Sequence, residues 1–124
     1  MCKMYLSFKY FLYLCISNKE TMRIYTSYFS NGRKLAADNV LMVGIALFPP
    51  KWFQGISLKQ LAPSYSIFHD KPFSEEKYTR RFKAEVLSRL DPYWVIETLE
   101  RIGNGRDVAI CCYEKPGDFC HRHI

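Results

Sequence analysis

The stretch Cys111 to His123 (CCYEKPGDFCHRH) gathers cysteines, an acid, a lysine, an arginine and two histidines into one short run. Few structural loops need that mixture. A thiol acts as a nucleophile or metal ligand only as its thiolate, so it needs positive charge or hydrogen-bond donors nearby. Pro116-Gly117-Asp118 reads as a turn in which Asp118 caps a helix beginning at Phe119. Cys120 would then occupy the second helical position, where free backbone N–H groups and the positive end of the macrodipole favour a thiolate. Arg122 adds a fixed positive charge, and the same helix end could cradle a phosphate or other anion. In this reading Cys120 is the nucleophile, His121 the general base, Glu114 an acid or orienting group, and Arg122 part of an anion site. Glu114 also works against the scheme, since a carboxylate beside a thiol opposes its ionisation. Cys111 is read as a core residue.

A metal site is the competing chemistry. Cys112, Cys120, His121 and His123 are all legitimate zinc ligands. The seven residues between Cys112 and Cys120 exceed the usual knuckle spacing, and His121 and His123 would face different ways on a helix. The expectation is therefore no cofactor, with zinc held behind the thiol reading. Pro49 to Phe53 (PPKWF) follows an apolar run and presents Lys51 and Trp52, which could pair a phosphate and stack a base. Covering one end of a sheet would use Trp52 and Phe53 equally well. Lys77, Arg80, Arg81 and Lys83 form a basic helix face that could track nucleic acid or simply be solvated. His69 stands alone and is assigned no role.

The elements that must position these groups follow from periodicity. Arg23 to Phe29 is β-branched and aromatic and ends at Ser30-Asn31-Gly32, which predicts a strand. Val40 to Phe48 is a nearly continuous apolar run closed by Pro49-Pro50, as suits a strand buried on both faces. Ser74 with Glu75 and Glu76 starts a helix whose Tyr78, Phe82, Val86 and Leu90 recur at helical spacing, with its end at Leu90. Asp91-Pro92 opens another that stops at Gly103. Asp107 to Cys112 predicts a third buried strand. Short buried strands separated by helices predict an α/β fold, a small mainly parallel sheet flanked by helices, with ligands at the carboxyl ends of the strands. Three segments would meet there: Tyr28 to Asn31, Pro49 to Phe53, and Cys112 to Arg122.

A hydrophobic share of 48% and a charged share of 24% exclude a disordered or low-complexity chain, and 124 residues suit one domain. The net charge of +6 allows a phosphate-bearing ligand or nucleic acid as partner without demanding one. Residues 1 to 21 differ from the rest. Tyr10 to Ile16 is apolar but far short of the roughly 20 residues a membrane span needs, and no small-x-small cleavage site follows it. These residues read as an extension or a mis-assigned start with a weak signal-like character, leaving residues 22 to 124 as the α/β domain and no membrane partner. With Cys2 and Cys15 set aside, Cys111, Cys112 and Cys120 form an odd set that no secreted disulfide framework would choose, which favours the cytoplasm. Oligomeric state is not legible.

MRIYTSYFSN at Met22 to Asn31, PPKWFQGIS at Pro49 to Ser57, LAPS at Leu61 to Ser64, YTRRFKAEVLSRLDP at Tyr78 to Pro92 and CYEKPGDFCHRH at Cys112 to His123 together resemble domain of unknown function family 488. The resemblance implies a compact cytoplasmic α/β domain with a cluster at Cys112, Glu114, Cys120, His121 and Arg122. It implies no known reaction. It further implies a start near Met22 and a closing amphipathic helix beyond the Cys-His-Arg motif. On that expectation a chain ending at Ile124 lacks its last helix, which leaves the motif at a frayed end and reads as a truncated product.

Overall fold

The computed structural model describes the backbone of residues 2–3 and all of residues 21–124. Among the described residues five strands form one sheet: β1 (Cys2–Lys3), β2 (Ile24–Tyr28), β3 (Leu41–Gly44), β4 (Ile56–Ser57) and β5 (Val108–Cys112). Their spatial order is β1-β2-β5-β3-β4. The last four in that order run parallel, and β1 joins β2 antiparallel at the edge. This is the small parallel α/β arrangement that the sequence predicts. Residues 1 and 4 to 20, and with them most of the expected signal-like extension, lie outside the described residues.

β5 is the centre of the sheet because all five of its residues are apolar and buried, as a strand covered on both faces requires. It pairs along β2 from Ile24 opposite Val108 to Tyr28 opposite Cys112, and along β3 from Leu41 opposite Val108 to Gly44 opposite Cys111. Alternation divides its side chains between two cores. Val108 and Ile110 pack with Ile24, Val43, Val95, Ile96 and Leu99. Ala109 and Cys111 pack with Phe29, Leu35 and Val40 on the other side.

Among the described residues four α-helices flank the sheet: α1 (Gly32–Ala37), α2 (Tyr65–Phe68), α3 (Glu75–Glu85) and α4 (Pro92–Gly103). The Asp91 carboxylate accepts from Tyr93 N at 3.0 Å, Pro92 needs no hydrogen-bond partner in the first turn, and Asn104 ends α4 in the left-handed region at φ 47°. The buried stripe of α4 (Val95, Ile96, Leu99) supplies one core. Ser74 caps α3 by accepting from Lys77 N at 3.2 Å, and Phe82 is its buried anchor.

Three expected boundaries are corrected. The helix predicted from Ser74 to Leu90 stops at Glu85 and gives way to a 3-10 turn at Leu87–Arg89. There the Ser88 hydroxyl donates to the Ala84 carbonyl, a local bond that competes with regular helix. The strand predicted from Val40 to Phe48 is only Leu41–Gly44, because its partner gives out. Ile45 N still reaches the Cys111 carbonyl at 2.9 Å, after which the chain leaves the sheet. No helix begins at Phe119. Residues 118 to 120 are irregular and lead to one 3-10 turn at His121–His123. Cys120, His121 and Arg122 are all buried, and three consecutive side chains point in directions that no single helix face could bury. The motif is thus packed rather than frayed. Among the described residues no helix is long and apolar enough to cross a membrane.

Candidate functional site

A cavity of about 410 Å³ opens past the carboxyl ends of β3 and β5, where ligands of parallel sheets are usually held. Ala46, Leu47 and Phe48 continue from β3, and Cys112, Tyr113 and Glu114 continue from β5. Phe119, Cys120 and His121 return along the next segment, while Pro63, Phe68, Phe73 and Tyr78 close the far side. Tyr113 Oη donates to the Phe48 carbonyl and so ties the two strand ends together. Phe119 packs edge-on to Phe73 and Tyr78, with ring centroids 5.8 and 5.3 Å apart.

The reactive groups meet on one wall. Cys112 sits at the last position of β5, and a Pro116-Gly117 turn with Gly117 at φ 95° brings the chain back to Cys120. One nitrogen each of His121 and the sulfurs of Cys112 and Cys120 lie within 4.8 Å of one another. His121 Nε2 is 2.9 Å from the Ile45 carbonyl, and Nδ1 is 3.7 Å from Cys120 Sγ. A carbonyl can only accept, so Nε2 carries a proton and Nδ1 is the ring atom left to exchange one with the thiol. The imidazole rests on Phe82, centroids 5.3 Å apart.

Electrostatics separate the thiols. A hydrogen bond from Cys112 holds the Cys120 thiol far below the ordinary range against the opposing effect of burial, and His121 adds to the effect. That same bond pushes Cys112 strongly up, reinforced by burial. Burial alone raises Cys111 to about 12, and its Sγ faces the Ala109 carbonyl rather than the cavity. Burial also raises Glu114 and Tyr78, in each case reinforced by Cys120. The Glu114 carboxyl is therefore held toward its neutral form, which relieves the conflict it would otherwise have with a thiolate.

The structure brings Cys112, Glu114, Cys120 and His121 together, but not every expected residue. The Arg122 side chain is only 1% exposed, does not line the cavity, and serves Glu114 from behind. It donates to the Glu114 carbonyl, and Nη1 lies 3.8 Å from Glu114 Oε2. Lys51 and Trp52 also lie outside the cavity; Trp52 is 61% exposed and meets Phe29 edge-on at 6.3 Å. His123 is exposed and outside the donor cluster. On the basic helix face, Lys77 and Arg81 are ion-paired to Asp70 at 2.9 and 3.1 Å, and Arg81 also meets Glu85 at 2.8 Å. No α-helix starts at Phe119, and Cys120 is polarised chiefly by the Cys112 and His121 side chains, with the Arg122 backbone N–H of the following 3-10 turn adding to them. The walls Phe68, Phe73 and Phe119 and the Ile45 carbonyl are further parts of the site that sequence reasoning missed. Aromatic residues in loops carry no period, and a carbonyl carries no residue signature.

Two sulfurs and one imidazole nitrogen are a donor set that suits zinc. With His121 Nε2 directed at a carbonyl, the ring is also held as metal-bound histidines usually are. A closed structural site needs a fourth donor.

Comparison with curated proteins and with solved structures found no match. A family model described as the Active DUF488-N3 subclade matches residues 17–124. That span includes every strand from β2 onward, the four flanking helices and the whole Cys112–His121 wall, and the protein belongs to the DUF488 family.

Proposed function

We propose that this protein is a cysteine-dependent catalyst in which Cys120 attacks a small, largely apolar electrophile. The observation that carries the reading is the setting of His121. Its Nε2–H is fixed on the Ile45 carbonyl, which leaves Nδ1 facing Cys120 Sγ at 3.7 Å. Nδ1 takes the thiol proton, Cys112 steadies the resulting thiolate by donating to it, and Nδ1 then returns a proton to the leaving group. Glu114, whose carboxyl is raised above its ordinary range by burial and by Cys120, lines the cavity wall beside the thiol. Among the described residues the cavity is lined by aromatic and aliphatic side chains with no lysine or arginine, which favours an uncharged flat substrate over a phosphate. The description of the matching subclade as active agrees with an intact site. A working free thiol of this kind belongs in a reducing compartment, in keeping with the cytoplasm.

The test uses 4-nitrophenyl acetate with the full chain, its Cys120→Ser variant and its His121→Ala variant. A burst of nitrophenolate matched by acetyl on Cys120 is expected from the unaltered protein, a slower burst from His121→Ala, and none from Cys120→Ser. A burst that persists in Cys120→Ser, or acetyl found on Cys111, refutes the assignment. A metal reading is favoured by the three clustered donors: Cys112, Cys120 and His121 would hold zinc. Native mass spectrometry after zinc loading decides it. The ion should stay with the full chain and with His123→Ala but leave Cys120→Ser, and retention by Cys120→Ser excludes this site.

A further inference from the structure

Cys112 has a place in the site beyond steadying a neighbouring charge. Its sulfur and that of Cys120 lie within 4.8 Å, and both face the same cavity, so one small reagent reaches both. Forming a disulfide requires the sulfurs to approach to about 2.05 Å. The means of approach is built in, because Cys120 ends a loop whose Lys115 to Asp118 are exposed and turn at Gly117. Cys112 by contrast is fixed in the central strand. Cys111 is fully buried and does not line the cavity, so it stands outside the pair.

We infer that Cys120 and Cys112 form a peroxide-reactive dithiol, in which a hydroperoxide oxidises Cys120 and Cys112 resolves the product as a Cys112–Cys120 disulfide. The inference rests on Cys120 being the reactive thiol of the site. The Cys120 thiolate attacks the terminal oxygen of ROOH, the O–O bond breaks, Cys120 becomes a sulfenic acid, and the leaving RO⁻ takes the proton held at His121 Nδ1 to give ROH. Cys112 then attacks the sulfenic sulfur; the S–OH bond breaks, the S–S bond forms, and hydroxide with the Cys112 proton leaves as water. Two thiols have lost two hydrogens in total, and one hydroperoxide has become an alcohol and water. An external thiol reverses the step by exchange. The disulfide stage protects Cys120 from the irreversible sulfinic and sulfonic acids.

The experiment treats the full chain with hydrogen peroxide, blocks remaining thiols with N-ethylmaleimide and maps the peptides. Cleavage after Arg106, Glu114 and Arg122 puts Cys111 and Cys112 on one peptide and Cys120 on the next. The expected product is a linked pair lighter by two hydrogens, separated by dithiothreitol and still formed in Cys111→Ala. In Cys112→Ser a sulfenic acid at Cys120 should be trapped by dimedone, with sulfinic acid accumulating at higher peroxide. Iodoacetamide labelling of the untreated chain runs in parallel. Oxidation of Cys120 with Cys112 still alkylated overturns this inference and leaves the nucleophile standing. A Cys120 inert to both reagents overturns the two together. A link lost in Cys111→Ala assigns the bond to Cys111 and also overturns it.

Discussion

Replacing Cys112 by alanine deletes the largest influence holding the Cys120 thiol low, and the consequence can be put on a scale. Cys112 stays protonated and donates to the Cys120 sulfur, which holds Cys120 low while raising Cys112. A hydrogen bond to a charged group contributes about 1.5–3 kcal/mol, and sulfur is a weak donor and acceptor, so the lower end applies. At about 1.4 kcal/mol per pKa unit, Cys112→Ala should raise the Cys120 midpoint by roughly one unit. The sign follows because losing a donor removes support from the anion and not from the neutral thiol. His121 remains, so the midpoint should stay below the free-thiol value of about 8.5. Serine at position 112 keeps a hydroxyl donor in nearly the same place and should restore most of the native value. The assay is the rate of iodoacetamide alkylation from about pH 4 to about pH 10, followed by mass spectrometry, since only the thiolate reacts. Cys111 stays silent over most of that range because burial pushes it up to about 12. A midpoint unmoved or lowered in Cys112→Ala, or equal shifts for alanine and serine, would refute the hydrogen-bond account.

Leu99 is fully buried where α4 meets the sheet, so Leu99→Ala should lower stability by about 3 kcal/mol in urea unfolding; a change under about 1 kcal/mol would mean that this core is not formed as described. The Asp70 carboxylate is held below the usual range chiefly by its hydrogen bond from Lys77, with Arg81 adding to it. That contribution is complete above the unfolded value of about 3.9 and is lost as pH falls through the lower folded value. Asp70→Asn should therefore flatten the acid limb of stability against pH, and identical limbs would remove Asp70 from that account. Gly117 sits at φ 95° with open space around it, so Gly117→Ala should cost about 1–2 kcal/mol through backbone strain alone, read as a drop in the urea midpoint. A neutral result would mean that the turn tolerates a side chain.

Much of this was legible in the sequence because the signals are local. β5 is five buried apolar residues in a row, and the two ends of α4 carry Asp91-Pro92 and Asn104. The thiols and imidazole of the site fall within ten residues of one another, from Cys112 to His121. What escaped has a physical cause in each case. β4 is two residues long, and α1 starts at Asn31 with no side-chain cap bond, so neither rises above background. Asp118 suits a turn as well as a helix cap, and here it closes a turn after which Cys120, His121 and Arg122 are all buried. Lys77 and Arg81 looked like free charge because Asp70, their acidic partner, lies in the loop before α3.

The group that orients His121 is the Ile45 carbonyl, and that choice changes what genetics can see. An enzyme that aims its histidine with an aspartate exposes the aspartate to every alanine scan. Here any residue at position 45 that keeps the backbone path supplies the same acceptor, so side-chain replacement leaves the contact intact. Only a change to the chain itself would reach it, such as an ester in place of the amide between Ile45 and Ala46, which weakens the carbonyl as an acceptor without altering a side chain. A complete mutational map of this site would therefore register its cysteines and His121 but not the backbone acceptor that sets the imidazole.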